Sequence, residues 1–498
     1  MGAGVGKGLS AAIDATPDAY LASVIRNLAV EERQKLATAL AASATGPSDV
    51  CVKIPEHLAD SGQIELTPFD FLNGGRPIPM VWFYKASLDL QLLLSSLEET
   101  LVSYPVFCGR YMEPPTAVTL NNAGVPVQIR TVSKQEMTIA EATAHLPLAS
   151  GQTLPKQFHR LAHEAYLPPK EGMDPDTGSP DLPILSIKIT LFPTGGTAIG
   201  VLLQHRIGDA DAQITLMKNW SRVYRKLSLD PVPVHDRLAM ITSLSMGDLE
   251  PGRKPDAFKV KAVPIGDGSR PVPEFAAVMP KIMGDCVCVV PLCKGQLQEL
   301  VETARAGLTA EQYISCDDVV TAHLWRALAS VRCTQLGLAS DTDELTTCIR
   351  ACNFRQRTDP PLGAGYCANG VCQVWTELSV RELLAKTPAE VALLLRAGIK
   401  AHTPEIVAAR AQWLMKTRNE GSAPSLQFDQ HALSFIISSW GFPWEAADFG
   451  SVPICFDHGA LTPVVATIIP RPQGDGVNVY GTGQQDALEH FVGLLAQK

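Results

Sequence analysis

The chain has 498 residues, of which 46% are hydrophobic and 19% are charged, so it can build a large core and is not expected to be disordered. Its formal net charge of −9 argues against nucleic acid as the main partner, because nucleic acids select basic surfaces. No apolar run has the length of a membrane span, and the first ten residues lack the apolar core of a signal peptide. We therefore expect neither a membrane nor a nucleic-acid partner. The 12 cysteines contain no CxxC pair, so we expect reduced thiols and a cytoplasmic location.

Composition divides the chain into four regions. Residues 1–50 have the pattern of a helical extension whose apolar stripe suits packing on the body of the protein. Residues 51–240 mix strand and helix patterns. Residues 241–280 are rich in proline, glycine and charge and predict a long surface linker. Residues 281–498 form a second mixed region, which ends in two predicted strands and a short helix.

A predicted strand–turn–strand–helix unit lies in the middle of the chain. Residues 185–191 alternate apolar and polar side chains, as a half-buried strand does, and residues 197–204 follow as the second strand of a hairpin. Apolar residues at helical spacing then run from 216 to 227. The loop between strand and helix carries His205 and Asp209, in HxxxD spacing. A histidine held between rigid elements is a candidate general base.

Other motifs are weaker, and HxxxD alone is weak as well, since a chain with 11 histidines has roughly even odds of one chance match. His159 and His163 lie four residues apart on a predicted helix, but no third ligand is evident, and we predict no metal site. The Asp-Phe-Gly triplet at 448–450 has the letters of the kinase magnesium loop. The chain lacks the HRD and VAIK motifs of a kinase, so another account is needed.

Several stretches, taken in order, resemble the BAHD acyltransferases, which are CoA-dependent enzymes with HxxxD in mid-chain and DFGWG near the C-terminus. ELTPFDFL is similar to the first core strand of the family and its aspartate. The similar stretches are ELTPFDFL at 65–72, LEETLVSYPVFCGRYM at 97–112, HRIGD at 205–209, YISCDDVVTAHLWRAL at 313–328, NFRQRTDPPLGAGYCANGV at 353–371 and DFG at 448–450. The resemblance covers most of the chain from about residue 51 and points to a fungal-type member acting in secondary metabolism.

The resemblance implies an α/β fold of two similar lobes, each a mixed β-sheet flanked by helices, as in chloramphenicol acetyltransferase. A long crossover loop would join the lobes, and residues 241–280 would supply it. A channel between the lobes would admit CoA from one face and the acceptor from the other. The implied activity is O-acyl transfer from an acyl-CoA co-substrate to the hydroxyl of a small molecule, with an amine as the other acceptor. The implied protein is a monomer without a permanently bound cofactor.

The resemblance also assigns roles to individual residues. His205 would be the general base that takes the proton of the acceptor. Asp209 would support the catalytic loop by pairing with an arginine, either Arg355 or Arg357. Asp211 falls outside the motif and is expected to be only a first-turn helix charge. Further residues would line the channel or its CoA side: Ser438, Ser439, Trp440, Asp448, Gly450 and Ser451.

The chain departs from the family pattern after its DFG triplet, where Ser451 and Val452 replace the Trp and Gly of DFGWG. Because that Trp is placed near the reacting oxyanion in relatives, another donor is needed here. The Ser451 hydroxyl, a backbone amide and the Trp440 indole are three candidates. Four basic residues of the linker could meet the CoA phosphates or simply face solvent: Arg253, Lys254, Lys259 and Lys261.

Two other functions remain open from the sequence. A condensation-type enzyme would take its acyl group from a carrier protein, but such enzymes carry HHxxxDG, and here Gln204 precedes His205. A non-catalytic binding protein of the same fold is motivated by the altered DFG segment. The sequence leaves the acyl group and the acceptor undetermined.

Overall fold

The structure is a computed structural model that describes residues 48–73, 77–113, 116–132, 165–168, 181–193, 195–264, 274–284, 286–458 and 462–496. The helical extension predicted for residues 1–50 lies outside this range up to residue 47, and residues 48–50 belong to a strand. His159 and His163, the two histidines weighed for a metal, also lie outside the described residues.

The secondary structure alternates between strands and helices along the chain. The strands are β1 Ser48–Val52, β2 Gln63–Glu65, β3 Pro77–Tyr84, β4 Arg110–Tyr111, β5 Ala117–Thr119, β6 Val125–Thr131, β7 Leu185–Leu191, β8 Thr197–Gln204, β9 Val260–Pro264, β10 Cys286–Cys293, β11 Leu345–Asn353, β12 Val371–Ser379, β13 Ser422–Leu426, β14 Ser434–Ser439, β15 Cys455–His458, β16 Val465–Pro470 and β17 Gly476–Gly483. The helices are α1 Pro68–Leu72, α2 Leu90–Val102, α3 Ala210–Tyr224, α4 Arg237–Thr242, α5 Met279–Ile282, α6 Lys294–Arg305, α7 Cys316–Leu336, α8 Val380–Ala385, α9 Pro388–Lys400, α10 Pro404–Asn419 and α11 Gln485–Ala496.

The first lobe is built on a six-stranded sheet of order β1-β6-β7-β8-β3-β15. Its β6–β7 pair is parallel and the neighbouring pairs are antiparallel, so the sheet is mixed. The strand β8 lies inside the sheet and is buried along its whole length. Side chains of α2 and α3, among them Leu97 and Trp220, join the sheet in one apolar cluster. The end of β8, where the HxxxD loop begins, is therefore held on a packed layer.

The second lobe repeats this plan with a six-stranded sheet of order β10-β17-β16-β14-β11-β12. The pairs β11–β14 and β14–β16 are parallel, and the other three are antiparallel. The helices α7, α9 and α11 contribute Trp325, Leu395 and Phe491 to its apolar cluster. The predicted fold class, two α/β lobes that each have a mixed sheet flanked by helices, is confirmed.

One strand of the second sequence region completes the sheet of the first lobe. The strand β15 pairs antiparallel with β3, with His458 opposite Met80. Trp82 of β3 donates its indole N–H to the Trp444 carbonyl at 3.2 Å. The sequence prediction, which kept residues 281–498 in one region, is wrong for this stretch. A four-residue apolar strand does not encode which sheet edge it will join.

The surface linker predicted for residues 241–280 is wrong in its middle. The strand β9 pairs antiparallel with β13, and Phe258 and Val260 are fully buried. Lys259 and Lys261 alternate with these apolar residues, which is the pattern of a half-buried strand. The proline- and glycine-rich flanks masked this short signal.

The stretch 65–72, which the resemblance assigned to a core strand, instead ends a short strand and begins a helix. Thr67 and Asp70 form a capping box, in which Asp70 Oδ2 accepts from the Thr67 amide at 2.7 Å and Thr67 Oγ1 accepts from the Asp70 amide at 3.3 Å. Pro68 occupies the first helical turn, where its missing N–H has no cost. In this helix the Asp70 carboxylate is buried in the interior of the protein.

The predicted hairpin is confirmed with the same bounds, since β7 and β8 cover residues 185–191 and 197–204. The helix α3 ends at Tyr224, earlier than predicted, because Lys226 takes a positive φ and Leu227 is exposed. The final strand–strand–helix unit is also present, as β16, β17 and α11. Within the described part of the chain, no helix has both the length and the apolar character needed to span a membrane.

Candidate active site

The HxxxD loop joins the buried strand β8 to the helix α3. Asp209 is the N-cap of α3, and its Oδ1 accepts from the Ala212 amide at 3.0 Å. A carboxylate at this position satisfies an amide that the helix leaves unpaired and complements the positive end of the helix dipole. His205, four residues earlier, therefore lies on a loop that is fixed at both ends.

A buried bidentate ion pair fixes Asp209 further. The Arg355 guanidinium donates to Asp209 Oδ2 at 2.9 Å and to Oδ1 at 2.8 Å, and the Gly370 amide donates to Oδ2 at 2.8 Å. Burial by itself would raise the pKa of Asp209, but Arg355 and the donated hydrogen bonds outweigh it and hold that pKa below its ordinary value. Of the two candidate arginines, Arg355 forms the pair, whereas Arg357 is exposed.

Asp211 is more than the helix charge that the sequence predicted. Its carboxylate lies 3.3 Å from Arg355 Nη1, and its Oδ2 accepts from the Asn353 amide group at 3.1 Å. Burial raises the pKa of Asp211, and Arg355 only partly opposes this rise. Two carboxylates therefore share one arginine at the start of α3. The prediction missed this because Asn353 and Arg355 lie more than 140 residues further along the chain.

Arg355 also binds a second segment to the HxxxD loop. Its Nε donates to the Tyr366 carbonyl at 3.2 Å and its Nη2 to the Ala368 carbonyl at 2.7 Å. Gly370 permits this approach, because a Cβ at that position would lie 2.4 Å from Arg355 Nη1. Residues 366–370 are therefore held against residues 205–209 by one guanidinium, and we call them the partner segment.

The partner segment places Asn369 on the His205 ring. His205 Nδ1 lies 3.1 Å from Asn369 Oδ1, and Asn369 Nδ2 donates to the His205 carbonyl at 2.7 Å. Because the amide nitrogen faces a carbonyl oxygen, the amide oxygen must face the ring, and Nδ1 carries the proton. The other ring nitrogen, Nε2, is then an unprotonated acceptor. Asn369 is fully buried, and sequence analysis gave it no role beyond its place in the block at 353–371.

The surroundings of His205 keep it neutral. The ring is packed within the protein, although the residue stays partly exposed. Burial lowers the pKa of His205 below 6.5, and Asp209, Asn369 and Asp70 oppose this shift without cancelling it. A neutral imidazole with a free Nε2 can accept a proton.

Ser438 and Trp440, two of the predicted channel residues, contact each other at the end of β14. The Trp440 indole N–H donates to Ser438 Oγ at 3.1 Å. This bond uses the only donor of the indole, while the Ser438 hydroxyl keeps its own hydrogen for donation. Ser439, next in the strand, is half-buried and pairs with Ile468 of β16.

The DFG segment lies at the far end of α3 from His205. Asp448 accepts from Arg225 at 3.0 Å, just past the last turn of α3. Phe449 packs edge-on against Trp220 and Tyr224 of the same helix. Since α3 has 15 residues and a helix rises 1.5 Å per residue, these contacts lie roughly 20 Å from the HxxxD loop. The DFG segment thus anchors the helix that the catalytic loop begins.

This position removes Ser451 from the candidate oxyanion donors. Ser451 follows Gly450, which has a φ of +83°, and both remain next to Phe449 at the distant end of α3. A hydrogen bond reaches about 3 Å, so a hydroxyl there cannot contact a group that reacts at His205. Of the three candidate donors, we therefore set aside the Ser451 hydroxyl, because the DFG segment packs on the core rather than on the loop.

The four basic residues of the predicted linker have protein partners. Lys254 lies over the Trp413 ring at 5.6 Å, Lys259 forms an ion pair with Glu377, and Arg253 lies 3.7 Å from Asp256. Lys261 also takes part in an interaction. Each of the four cations therefore has an interaction within the protein, and contact with the CoA phosphates stays a prediction.

The two six-stranded sheets and their flanking helices give the fold of the two-lobed, chloramphenicol-acetyltransferase-like class. The family model described as "Transferase family" matches residues 48–494, and the chain belongs to this family, the BAHD acyltransferases. It is therefore an acyl-CoA-dependent acyltransferase.

Relatives and solved structures are distant in sequence but extend over most of the chain. The chain is 22% identical over 419 residues to anthranilate N-benzoyltransferase protein 3 of Dianthus caryophyllus, covering 81% of this chain and 85% of the relative. The crystal structure of vinorine synthase matches with a TM-score of 0.63 and 19% identity, covering 90% of this chain and 97% of the other. F. sporotrichioides TRI101 complexed with coenzyme A and T-2 matches with a TM-score of 0.64 and 18% identity, covering 86% and 96%.

Proposed function

We propose that this acyltransferase transfers its acyl group to a hydroxyl of a small secondary metabolite, with His205 as the general base. The observation that carries the proposal is the contact of His205 Nδ1 with Asn369 Oδ1 at 3.1 Å, which leaves Nε2 free to accept a proton. A hydroxyl is a poor nucleophile at neutral pH, so it gains most from a base that takes its proton in the transition state.

The reaction follows from this geometry. His205 Nε2 removes the hydroxyl proton while the oxygen attacks the thioester carbonyl. A tetrahedral oxyanion forms, collapses and expels the CoA thiolate, which takes the proton back from the imidazolium. Since the thioester is already activated, no acyl-enzyme is required. Ser438 is our candidate donor to the oxyanion, because its hydroxyl hydrogen is not used by Trp440.

An amine acceptor is the second candidate, because the relative from Dianthus caryophyllus is named an N-acyltransferase. The two acceptors are distinguished by giving the enzyme matched pairs of small molecules that differ only in a hydroxyl or an amine. Release of free CoA thiol is measured with each pair. Turnover confined to the amines would overturn the hydroxyl assignment but not the role of His205.

The co-substrate is tested without knowing the acceptor. We expect one acyl-CoA from a panel to raise the unfolding free energy by about 2.7 kcal/mol at a hundredfold excess over its Kd, as measured by thermal melts. Free CoA should give a smaller shift, which serves as the control for binding without the acyl group. If no acyl-CoA stabilises the protein at millimolar concentration, the result would favour a carrier protein as the acyl donor.

The structure gives no support to the alternative of a non-catalytic binding protein. It rested on the change from DFGWG to DFGSV, but the segment packs about Phe449 at the end of α3 that is distant from His205. The change therefore falls outside the neighbourhood of the proposed base, and the imidazole keeps its partner Asn369.

Activity should persist into mildly acid conditions. Because burial lowers the pKa of His205, the neutral base survives below the pH at which an exposed histidine becomes protonated. We expect the acid limb of kcat/KM, which reports the free enzyme, to have its midpoint below 6.5. Rates measured between about pH 4.5 and 8 check this. A midpoint above 6.5 would contradict the buried, neutral imidazole.

A further inference from the structure

A second buried ion pair lies beside the catalytic loop, separate from the pair of Asp209 and Arg355. Asp70 of α1 and Arg237 of α4 are both nearly inaccessible, with Nη1 and Oδ2 3.7 Å apart. A buried pair is often no more stabilising than apolar residues of the same size. The role of this ion pair is therefore inferred from the groups to which Asp70 and Arg237 are hydrogen-bonded.

Arg237 joins the catalytic loop to the partner segment, residues 366–370. Its Nη1 donates to the Ile207 carbonyl at 2.8 Å, and its Nη2 donates to the Cys367 carbonyl at 2.9 Å. Ile207 lies between His205 and Asp209, and Cys367 lies two residues before Asn369. One fork-shaped guanidinium thus spans the same two segments that Arg355 spans from the Asp209 side.

Asp70 fixes the side chain of Asn369. Its Oδ1 accepts from Asn369 Nδ2 at 2.8 Å and from the Asn369 backbone amide at 3.3 Å. The second hydrogen of Nδ2 goes to the His205 carbonyl at 2.7 Å. A turned amide would place its oxygen against both a carboxylate and a carbonyl. Asp70 therefore helps to decide that the amide oxygen faces His205 Nδ1.

We propose that Asp70 and Arg237 are positioning residues for acyl transfer, which hold Asn369 so that His205 presents an unprotonated Nε2 to the acceptor. This inference rests on the proposed function of His205 as the base. Neither residue needs to touch the substrate for this role. Their effect passes through one amide, which sets the tautomer of the imidazole.

Replacing Asp70 by asparagine tests the proposal with little change of shape. The Thr67 amide at 2.7 Å and the Arg237 cation favour an oxygen on the Oδ2 side. They outweigh the Asn369 backbone amide, which is 3.3 Å from Oδ1, so the new amide nitrogen faces the Asn369 side chain. Asn369 must then turn, and its Nδ2 meets His205 Nδ1. We expect kcat to fall at least about tenfold, the scale of losing part of general-base catalysis, with the KM for acyl-CoA changed less than about twofold.

Two further variants keep the test independent of folding. Arg237→Lys keeps the positive charge but cannot span both carbonyls, and it should also lower kcat. Asp70→Asn combined with Asn369→Ala should be no slower than Asn369→Ala alone, because Asp70 acts through that amide. Additive losses in the double variant would overturn the proposal.

Asp318 supplies a matched control in the second lobe. It is fully buried and belongs to a capping box with Ser315, as Asp70 does with Thr67, and it accepts from Arg350 at 2.8 Å. Asp318→Asn should lower the melting temperature as Asp70→Asn does, yet keep kcat. An equal loss of kcat in both variants would mean general destabilisation and would overturn the proposal.

A readout without turnover separates this inference from the proposed function. Nitrogen NMR of the protein labelled with ¹⁵N-histidine distinguishes the two neutral tautomers, and the His205 signals are those that disappear in His205→Gln. We expect a protonated Nδ1 in the native protein and a protonated Nε2 in Asp70→Asn. An unchanged tautomer in that variant would overturn the inference. Full activity of His205→Gln would instead remove the proposed function, and the tautomer result would still stand.

Discussion

Replacing His205 by glutamine is expected to lower kcat/KM for acyl transfer by at least about a hundredfold, which is the usual loss for a general base. The glutamine amide is similar to the imidazole in length and is uncharged, as the buried imidazole is. It cannot take a proton at neutral pH. The loss should therefore fall mainly on kcat, with little change in acyl-CoA affinity.

His57, which is exposed and lies in the first lobe, is the matched control for this experiment. His57→Gln should retain the native rate and the native melting temperature. Steady-state rates with one acyl-CoA and one acceptor, read beside thermal melts of each variant, separate chemistry from folding. A folded His205→Gln enzyme with native turnover would exclude His205 as the base.

The local elements of the site could be predicted from the sequence. Residues 185–191 and 197–204 became strands with the predicted bounds, because alternating and continuous apolar runs are local signals. The HxxxD loop between strand and helix also followed from local patterns, since Asp209 has the side chain of an N-cap. The resemblance to the family predicted that Asp209 pairs with an arginine, and it left Arg355 and Arg357 as the two candidates.

The contacts that give the loop its chemistry could not be predicted. Asn369 lies 164 residues from His205 along the chain, and Arg355 lies 146 residues from Asp209. Nothing in local periodicity distinguishes Arg355 from Arg357, and only the fold turns one inward and leaves the other exposed. Distant pairings are set by topology, which also explains why β15 was assigned to the wrong lobe.

The DFG segment has a structural role in this chain, because it anchors the C-terminal end of α3. Asp209 caps the first turn of α3, while Asp448 pairs with Arg225 beyond its last turn. Phe449 fills the apolar space between Tyr84 of β3 and Trp220 of α3. The two motifs therefore act on opposite ends of one helix, and the Trp absent from DFGSV is not needed for this anchoring.

Removing Arg355 should give the largest loss of stability at this site. Arg355→Met is expected to lower the free energy of unfolding by about 3–5 kcal/mol, because it leaves Asp209 as a buried carboxylate without its cation. The carbonyls of Tyr366 and Ala368 would lose their donors as well. Urea denaturation at neutral pH measures the change, and kcat should fall in the folded fraction because residues 366–370 carry Asn369.

Arg357→Met is the control, since Arg357 is exposed and was the other arginine compatible with the sequence; it should change stability by less than about 0.5 kcal/mol. The charge argument is tested by adding Asp209→Asn to Arg355→Met. Asparagine can still cap α3 at the Ala212 amide, but it carries no buried charge. The double variant should therefore be more stable than Arg355→Met alone, by roughly 1 kcal/mol or more. If it were less stable, the orphaned carboxylate would not be the source of the loss, and the backbone contacts of Arg355 would have to account for it.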